Sequence, residues 1–546
     1  MVILQDVSYI HPDKDLLFSD LNLAINRQDK IALTGNNGAG KSTLLKILAG
    51  NLSPSAGAVR ATSKPYYVPQ HFGQFNDQTI AEALQAGDKI NALNEILAGN
   101  VTEANLILLD EDWTIVERCK EAFSAWGLKG LNPDQKMATL SGGQKTKVFL
   151  AGIIVNRPEI VLLDEPSNHL DSFSRNLLYD YIKSTTNAVV VVSHDRTLLN
   201  LIDTVHELGS RGITVYGGNY DFYAAQKKIE AEALDQDLKS REKLLRKAKE
   251  TERESLQRQQ KLDARGKKKQ EKAGLPTISM NTFRNNAEKS TSRIKGVHAE
   301  KVETIAGELN KLRSSLPDMD KMKIDLDNSA LHKGKVLITA RDVNFGYDDH
   351  LLWKEGLSFQ VRHGERIAIK GLNGSGKTTL IKMILGELQP RSGIIDSIIA
   401  IKTIDSGAIK TIDNVSVKTI YIDQDYSLID DRLTVVEQVE RFNSGSLQEH
   451  EIKIRLNRFL FTKDWWDKPC RTLSGGEKMR LILCSLTISD QAPDMIILDE
   501  PTNNLDIQNI EILTTAIRDY AGTLLVISHD EYFEKQIKVE RSISLV

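Results

Sequence analysis

The chain has 546 residues and a mass of 61.0 kDa, with 40% hydrophobic and 27% charged residues and a mean hydropathy of -0.30, enough apolar matter for several cores at about 150 residues per domain. Its apolar runs, such as Ile160 to Leu163 and Ala188 to Val192, fall far short of the ~18 to 20 residues of a membrane span. No basic segment leads an apolar one at Met1, and Cys119, Cys470 and Cys484 lack disulfide-scaffold or metal-ligand spacing, so a reducing cytoplasm without membrane contact is expected.

In chain order, the first predicted element is the β-branched run Lys30 to Thr34, a strand. It leads into Gly35-Asn36-Asn37-Gly38-Ala39-Gly40-Lys41-Ser42-Thr43 and a leucine-rich helical pattern. Strand, glycine loop and helix in that order make a phosphate cradle. The glycines let backbone N–H groups converge on anionic oxygens at a helix N-terminus. Lys41 is then expected to reach the β and γ phosphates of a nucleotide and the Ser42 hydroxyl to ligate Mg²⁺. Further on, Leu140-Ser141-Gly142-Gly143-Gln144 opens a second motif, and Ile160 to Leu163 ends in Asp164-Glu165. Short continuous apolar runs are the mark of strands buried on both faces of a parallel sheet, and chemistry in such sheets sits beyond the carboxyl ends of the strands. Asp164 is therefore expected in a Mg²⁺ shell and Glu165 as the base that orients and deprotonates a water. A further apolar run, Val189 to His194, ends in a histidine expected to sense a γ-phosphate.

Residues 224 to 263 lack proline and glycine and are dense in Glu, Lys, Gln, Leu and Ala, which predicts a helix of roughly 60 Å. Leu234, Leu238, Leu245 and Ala248 trace a seam interrupted by Arg241, and Val302, Ile305, Leu309, Leu312 and Leu316 repeat at steps of 3, 4, 3 and 4. Two such stretches read as an antiparallel coiled-coil hairpin. From Arg258 to Lys295 there are eleven basic residues against three acidic ones, a net of +8 in a chain whose total is -3. A basic tip on an acidic body points to a polyanion, and nucleic-acid phosphate is the expectation. Gly274 to Met280 and then Phe283 add apolar groups suited to sugars or unstacked bases.

The second half repeats the first. Gly371-Leu372-Asn373-Gly374-Ser375-Gly376-Lys377-Thr378-Thr379 follows the run Arg366 to Lys370; Leu473-Ser474-Gly475-Gly476-Glu477, Leu498-Asp499-Glu500 and Ser528-His529-Asp530 follow in the same order, 333 to 336 residues after their counterparts. One domain has been duplicated. The expected division is a first domain over 1–222, a helical-hairpin linker over 223–333 with its basic tip at about 258–295, and a second domain over 334–546. An extra segment around 398–417 in the second copy has the alternation of a hairpin.

These motifs resemble the ATP-binding cassette superfamily over almost all of both copies, the Leu-Ser-Gly-Gly signature separating it from other phosphate-loop ATPases. The resemblance implies an α/β fold with two cassette domains whose signatures close head to tail over each other's ATP. Site one would combine Gly35, Asn36, Asn37, Gly38, Gly40, Lys41, Ser42, Thr43, Gln70, Asp164, Glu165 and His194 with Ser474, Gly475 and Gly476. Site two would combine Gly371, Asn373, Gly374, Gly376, Lys377, Thr378, Thr379, Gln424, Asp499, Glu500 and His529 with Ser141, Gly142 and Gly143. Ser42, Gln70 and Asp164, and likewise Thr378, Gln424 and Asp499, would hold Mg²⁺. Glu165, Glu500, His194 and His529 would be catalytic. Tyr347, 30 residues before Lys377, is the expected base-stacking ring of site two; the same spacing from Lys41 gives His11, which leaves stacking in site one weaker or supplied by Tyr9. Glu477 stands where the signature usually has glutamine.

Tandem cassettes joined by a helical hairpin with a basic tip are similar to the ABC-F family of ribosome-associated ATPases, and the tip run resembles its antibiotic-resistance ribosomal-protection branch. That implies a cytoplasmic monomer with intramolecular cassette pairing, two composite ATP-hydrolysing sites, and binding to the bacterial ribosome at large-subunit rRNA and P-site tRNA through the tip. A translation-regulating member without a drug role, a transporter ATPase subunit with separately encoded membrane domains, and a DNA-structure-binding ATPase remain as alternatives, because +8 does not distinguish RNA from DNA.

Overall fold

The computed structural model describes residues 1–13, 16–209, 212–272, 296–297, 299–309, 331–347, 350–397, 399–401, 417–443, 445, 447–489, 492–503 and 505–545. Met1–Asp221 and Lys321–Val546 form one compact unit and Phe222–Asp320 another.

In the first cassette the apolar runs become the middle of a six-stranded sheet. Its order is Tyr66–Val68, Ile160–Asp164, Ala188–Val192, Lys30–Thr34, Thr204–Gly209 and Gly212–Tyr216, parallel except for the last strand. Every residue of Ile160–Asp164 and Ala188–Val192 is buried, the two-sided burial that continuous rather than alternating apolar runs signal. An antiparallel sheet of Leu16–Ile25, Val2–Ile10 and Ala56–Ala61 adds a second layer. Val2, Leu4, Val7 and Ile25 from that layer share one core with Leu44, Leu45, Ile47 and Leu48 of the phosphate-loop helix, which fixes the loop between two packed surfaces.

The second cassette repeats this plan. Its sheet runs Ile399–Ile401, Val417–Ile422, Met495–Asp499, Thr523–Ile527, Arg366–Lys370 and Arg541–Ser544, all parallel. Of the segment around 398–417 expected to form a hairpin, Ile399–Ile401 is described and pairs in parallel with Val417–Ile422. Residues 398 and 402–416 lie outside the described residues.

The cassettes differ most between sheet and signature. Where the second has Val435–Glu440 and Glu449–Arg458, the first has Ile80–Ala83, the paired helices Gly87–Leu97 and Glu103–Leu109, and Ile115–Ala125. The added helices leave Leu97, Val101, Leu106, Ile107, Leu108 and Trp113 exposed.

The helix leading into the other unit spans Tyr220–Lys272, 53 residues and about 80 Å, longer at both ends than the sequence predicted. Leu234, Leu238, Arg241, Leu245 and Ala248 are half-buried at steps of 4, 3, 4 and 3, the seam of a helix pair. Residues 299–309 are helical, and Leu309 is buried. Arg241 is accommodated in the apolar seam by pairing with Glu308 and with Asp237 one turn back. Arg258, Lys261 and Arg265 are exposed; Leu312, Leu316 and residues 273–295 of the tip lie outside the described residues.

Candidate active site

Each phosphate loop enters its helix through a glycine in the left-handed region, Gly40 (φ 95°) before Lys41–Leu48 and Gly376 (φ 88°) before Lys377–Ile384. A Cβ on Gly40 would lie 2.7 Å from Leu17 Cδ2, and one on Gly376 2.8 Å from Leu352 Cδ1, leucine ends that can shift, so it is the left-handed dihedral that requires glycine. The lysines fold back over the loops. Lys41 Nζ donates to the carbonyls of Gly35 (2.8 Å) and Asn36 (3.1 Å), and Lys377 Nζ to those of Gly371 (2.8 Å) and Leu372 (3.2 Å). Burial lowers both ammonium pKa values against the pull of nearby carboxylates, and a phosphate arriving here would exchange neutral carbonyl acceptors for a charged one.

At the strand ends, Asp164 accepts hydrogen bonds from the Ser42 hydroxyl (3.0 Å) and the Tyr67 hydroxyl (3.0 Å). Asp499 does the same with Thr378 (2.9 Å) and Tyr421 (3.2 Å). The tyrosines were not anticipated from the sequence. Each lies three residues before its glutamine, Gln70 or Gln424, but only the parallel pairing of Tyr67 with Leu162 and of Tyr421 with Ile497 puts a ring beside the carboxylate. Burial raises the pKa of both aspartates.

Glu165 and Glu500 follow in the left-handed region, at φ 49° and 50°, strain of roughly 1–2 kcal/mol for a residue with a side chain. Backbone bonds hold the turn: Glu165 N donates to Val192 O (2.8 Å) and Glu500 N to Ile527 O (2.9 Å). Oε1 of Glu165 stands 3.2 Å from Nε2 of His194, and Oε1 of Glu500 stands 3.1 Å from Nε2 of His529. Burial, with the Asp164 charge adding to it, pushes Glu165 up to about 8, and burial pushes Glu500 up to about 7. Burial depresses both histidines to about 3. The imidazoles are therefore neutral at physiological pH, beside carboxyl groups poised to exchange a proton.

Among the described residues, Asp499 Oδ1, Glu165 Oε1 and Glu500 Oε2 are buried oxygens without a hydrogen-bond donor. Of these, Asp499 Oδ1, with Asp164 and the Ser42 and Thr378 hydroxyls, offers the hard oxygen ligands that Mg²⁺ takes, while Glu165 and Glu500 stand beside their histidines. The residues present fit a magnesium nucleotide.

The two copies are not alike in what surrounds them. The first phosphate loop opens on a cavity of about 290 Å³ lined by Asn37, Gly38, Gly40, Lys41, Ser42, Thr43, Gln70, Asp164, Glu165 and His194, with His11 and Leu17 beside them. Tyr9 is not in this lining; it packs edge-on against His11 with ring centroids 5.5 Å apart, so of the two rings the imidazole is the one that lines the cavity. Ser474, Gly475 and Gly476 are not in the lining either.

The second phosphate loop opens on about 740 Å³. Asn373, Gly374, Gly376, Lys377, Thr378, Thr379, Gln424, Asp499, Glu500, His529 and Tyr347 line it from the second cassette, and Ser141, Gly142 and Gly143 from the first. Asn373 Nδ2 donates to His169 O at 2.9 Å, joining the walls. Gly35, Asn36 and Gly371 line neither cavity and serve the lysines through their carbonyls. Both signature serines cap their helices, Ser141 that of Gly142–Asn156 and Ser474 that of Gly475–Ile488.

A sequence profile of the ABC transporter family matches residues 18–168 and 354–503, more than half of the chain. ABC transporter F family member 5 of Arabidopsis thaliana is 28% identical over 95% of this chain and 72% of its own. The energy-dependent translational throttle protein EttA of Mycobacterium tuberculosis is 30% identical over 97% of this chain and 88% of its own. Among solved structures, RNase-L Inhibitor has a TM-score of 0.59 at 20% identity, covering 98% of this chain and 87% of that one, which shows a shared fold. No helix among the described residues is long and apolar enough to cross a membrane. With two ATPase cassettes in one chain and F-class relatives along nearly all of its length, the protein belongs to the ABC-F family of ATP-binding cassette ATPases.

Proposed function

We propose that this ATPase is an ATP-gated ribosome-binding factor that protects the ribosome against antibiotics of the large subunit. The observation that carries the reading is the composite cavity in which Ser141, Gly142 and Gly143 of one cassette face Lys377, Thr378, Glu500 and His529 of the other. Such a cavity is completed only when the cassettes pair, which makes nucleotide a clamp. The domain division 1–222, 223–333 and 334–546 is part of this reading. The net +8 of residues 258–295 supports contact of the linker tip with large-subunit rRNA and P-site tRNA, and the name of the M. tuberculosis relative, a translational throttle, supports translation as the process.

In each site the phosphate-loop amides and lysine hold the β and γ phosphates, and the glutamate accepts the proton of the attacking water. The neutral histidine hydrogen-bonds the γ-phosphate, and the signature serine of the opposite cassette closes the site. Bound Mg²⁺, held by Asp164 with Ser42 and Gln70 or by Asp499 with Thr378 and Gln424, would neutralise phosphate charge.

The test is co-sedimentation with bacterial ribosomes of a Glu165→Gln, Glu500→Gln double variant, which traps the ATP state. Retention in ATP but not ADP is expected, and no retention in ATP refutes ribosome binding. Susceptibility of a sensitive host to large-subunit antibiotics, with the intact protein or one lacking residues 265–293, tests protection. An unchanged susceptibility would leave a translation-regulating role, which the throttle's name favours. Recovery in membranes with an integral partner would instead indicate a transporter subunit.

A further inference from the structure

The two catalytic histidines differ in what holds the far side of the ring. His529 Nδ1 lies 3.1 Å from the Ser172 hydroxyl, and its carbonyl accepts from Arg175 Nη1 at 3.3 Å. Both partners come from the first cassette, on the helix Ser172–Ser184, and Arg175 is buried, with Nε donating to Leu170 O at 3.2 Å. His194 Nδ1, by contrast, is buried without a hydrogen-bond partner among the described residues. At the offset of 335 that relates the two histidines, Ser172 corresponds to Ile507 and Arg175 to Ile510, side chains with no polar atom.

The chemistry gives this difference a consequence. To donate to a γ-phosphate, a neutral imidazole must carry its hydrogen on Nε2, which leaves Nδ1 as an acceptor. A serine hydroxyl both donates and accepts, so Ser172 satisfies either tautomer. With Lys377 Nζ 3.4 Å and Glu500 Oε1 3.1 Å from Nε2, it can accept from Nδ1 when Nε2 takes a hydrogen bond and donate to Nδ1 when Nε2 carries the hydrogen. His194 pays for the same tautomer with an unsatisfied buried nitrogen.

We propose that Ser172 and Arg175 are positioning residues for His529, supplied by the first cassette, so that the second phosphate loop is the faster hydrolytic site and the two sites turn over separately and unequally. This rests on the reading of Glu165 and Glu500 as the catalytic bases.

The test uses the full chain. Glu165→Gln leaves turnover to site two and Glu500→Gln leaves it to site one. Ser172→Ala is the diagnostic substitution, because Arg175 also approaches Asp195 at 3.9 Å. In the Glu165→Gln background, loss of one hydrogen bond is expected to lower kcat roughly 3- to 10-fold with KM for ATP within about two-fold, and Ser172→Thr restores at least half of kcat. In the Glu500→Gln background the loss is at least about three-fold smaller. An unchanged kcat at site two, an equal loss at both sites, a change confined to KM, no rescue by threonine, or loss of all turnover in either single background overturns the proposal. If neither glutamine variant lowers total turnover, the assignment of the bases has failed instead.

Discussion

Where the second signature closes over the first phosphate loop as proposed, Glu477 is expected to weaken site one and Glu477→Gln to relieve it. Ser474 donates both its backbone N–H (2.7 Å) and its hydroxyl (2.8 Å) to Glu477 Oε2. In the first cassette, Gln144 Oε1 takes only the Ser141 N–H at 2.9 Å, and the Ser141 hydroxyl accepts from Gln144 N at 3.3 Å, leaving its proton for a phosphate. A bond to a charged acceptor contributes about 1.5–3 kcal/mol against about 0.5–1.5 for a neutral one, so freeing the Ser474 proton is worth about 1 kcal/mol. That corresponds to roughly five-fold in affinity. With Glu500→Gln confining turnover to site one, Glu477→Gln is expected to lower KM for ATP about five-fold, the helix cap surviving as it does with Gln144. An unchanged or higher KM refutes the reasoning.

Lys41→Ala and Lys377→Ala each delete a buried charged donor, and each is expected to weaken ATP roughly 10- to 150-fold at its own cavity; calorimetric titration showing equal weakening at both sites would contradict this. Glu165 and Glu500, raised from 4.5 to about 8 and about 7, hold protons in the folded chain that the unfolded chain has released. Their contribution is fully present below about pH 4.5 and is lost by about 7 for Glu500 and about 8 for Glu165. His194 and His529, lowered from 6.5 to about 3, offset the loss up to about 6.5, above which the nucleotide-free protein loses stability by up to about 1.4 kcal/mol per pH unit for each glutamate. Thermal unfolding of the Glu165→Gln, Glu500→Gln variant is expected to show a flatter slope, and an identical slope rules the cause out. Arg241→Leu completes the apolar seam of the long helix. Because Arg241 and Glu308 are 33% and 52% exposed, their pair contributes little, and hydrogen exchange across residues 230–250 is expected to stay equal or slow by up to about five-fold. Faster exchange would show that the ion pair holds the helices together.

How much of the site was legible depends on how far apart its parts lie in the chain. The phosphate loops, the Asp-Glu strand ends and the histidines were readable because each is a local pattern whose chemistry follows from its own spacing. Tyr67 and Tyr421 escaped because a strand register, not a motif, sets them beside Asp164 and Asp499. Glu477 was visible as a departure from the signature, but its capture of the Ser474 hydroxyl is a matter of rotamer. Arg241 looked like a break in a seam until Glu308 was found opposite it. The ring at the first cavity went to His11, with Tyr9 packed behind it, because lining a cavity depends on side-chain direction and not on residue preference.

By itself, then, the sequence determined a duplicated α/β ATPase with a helical insert, since hydrophobic period and glycine placement act within a few residues. The family resemblance already implied that the first signature meets the second phosphate loop; the tertiary structure alone decided that His529, not His194, has a hydrogen-bond partner for its Nδ1 across the cassettes among the described residues. Ser172 and His529 are separated by 357 positions, and no local rule of spacing operates over that distance; only the packing of one cassette on the other brings their atoms within reach.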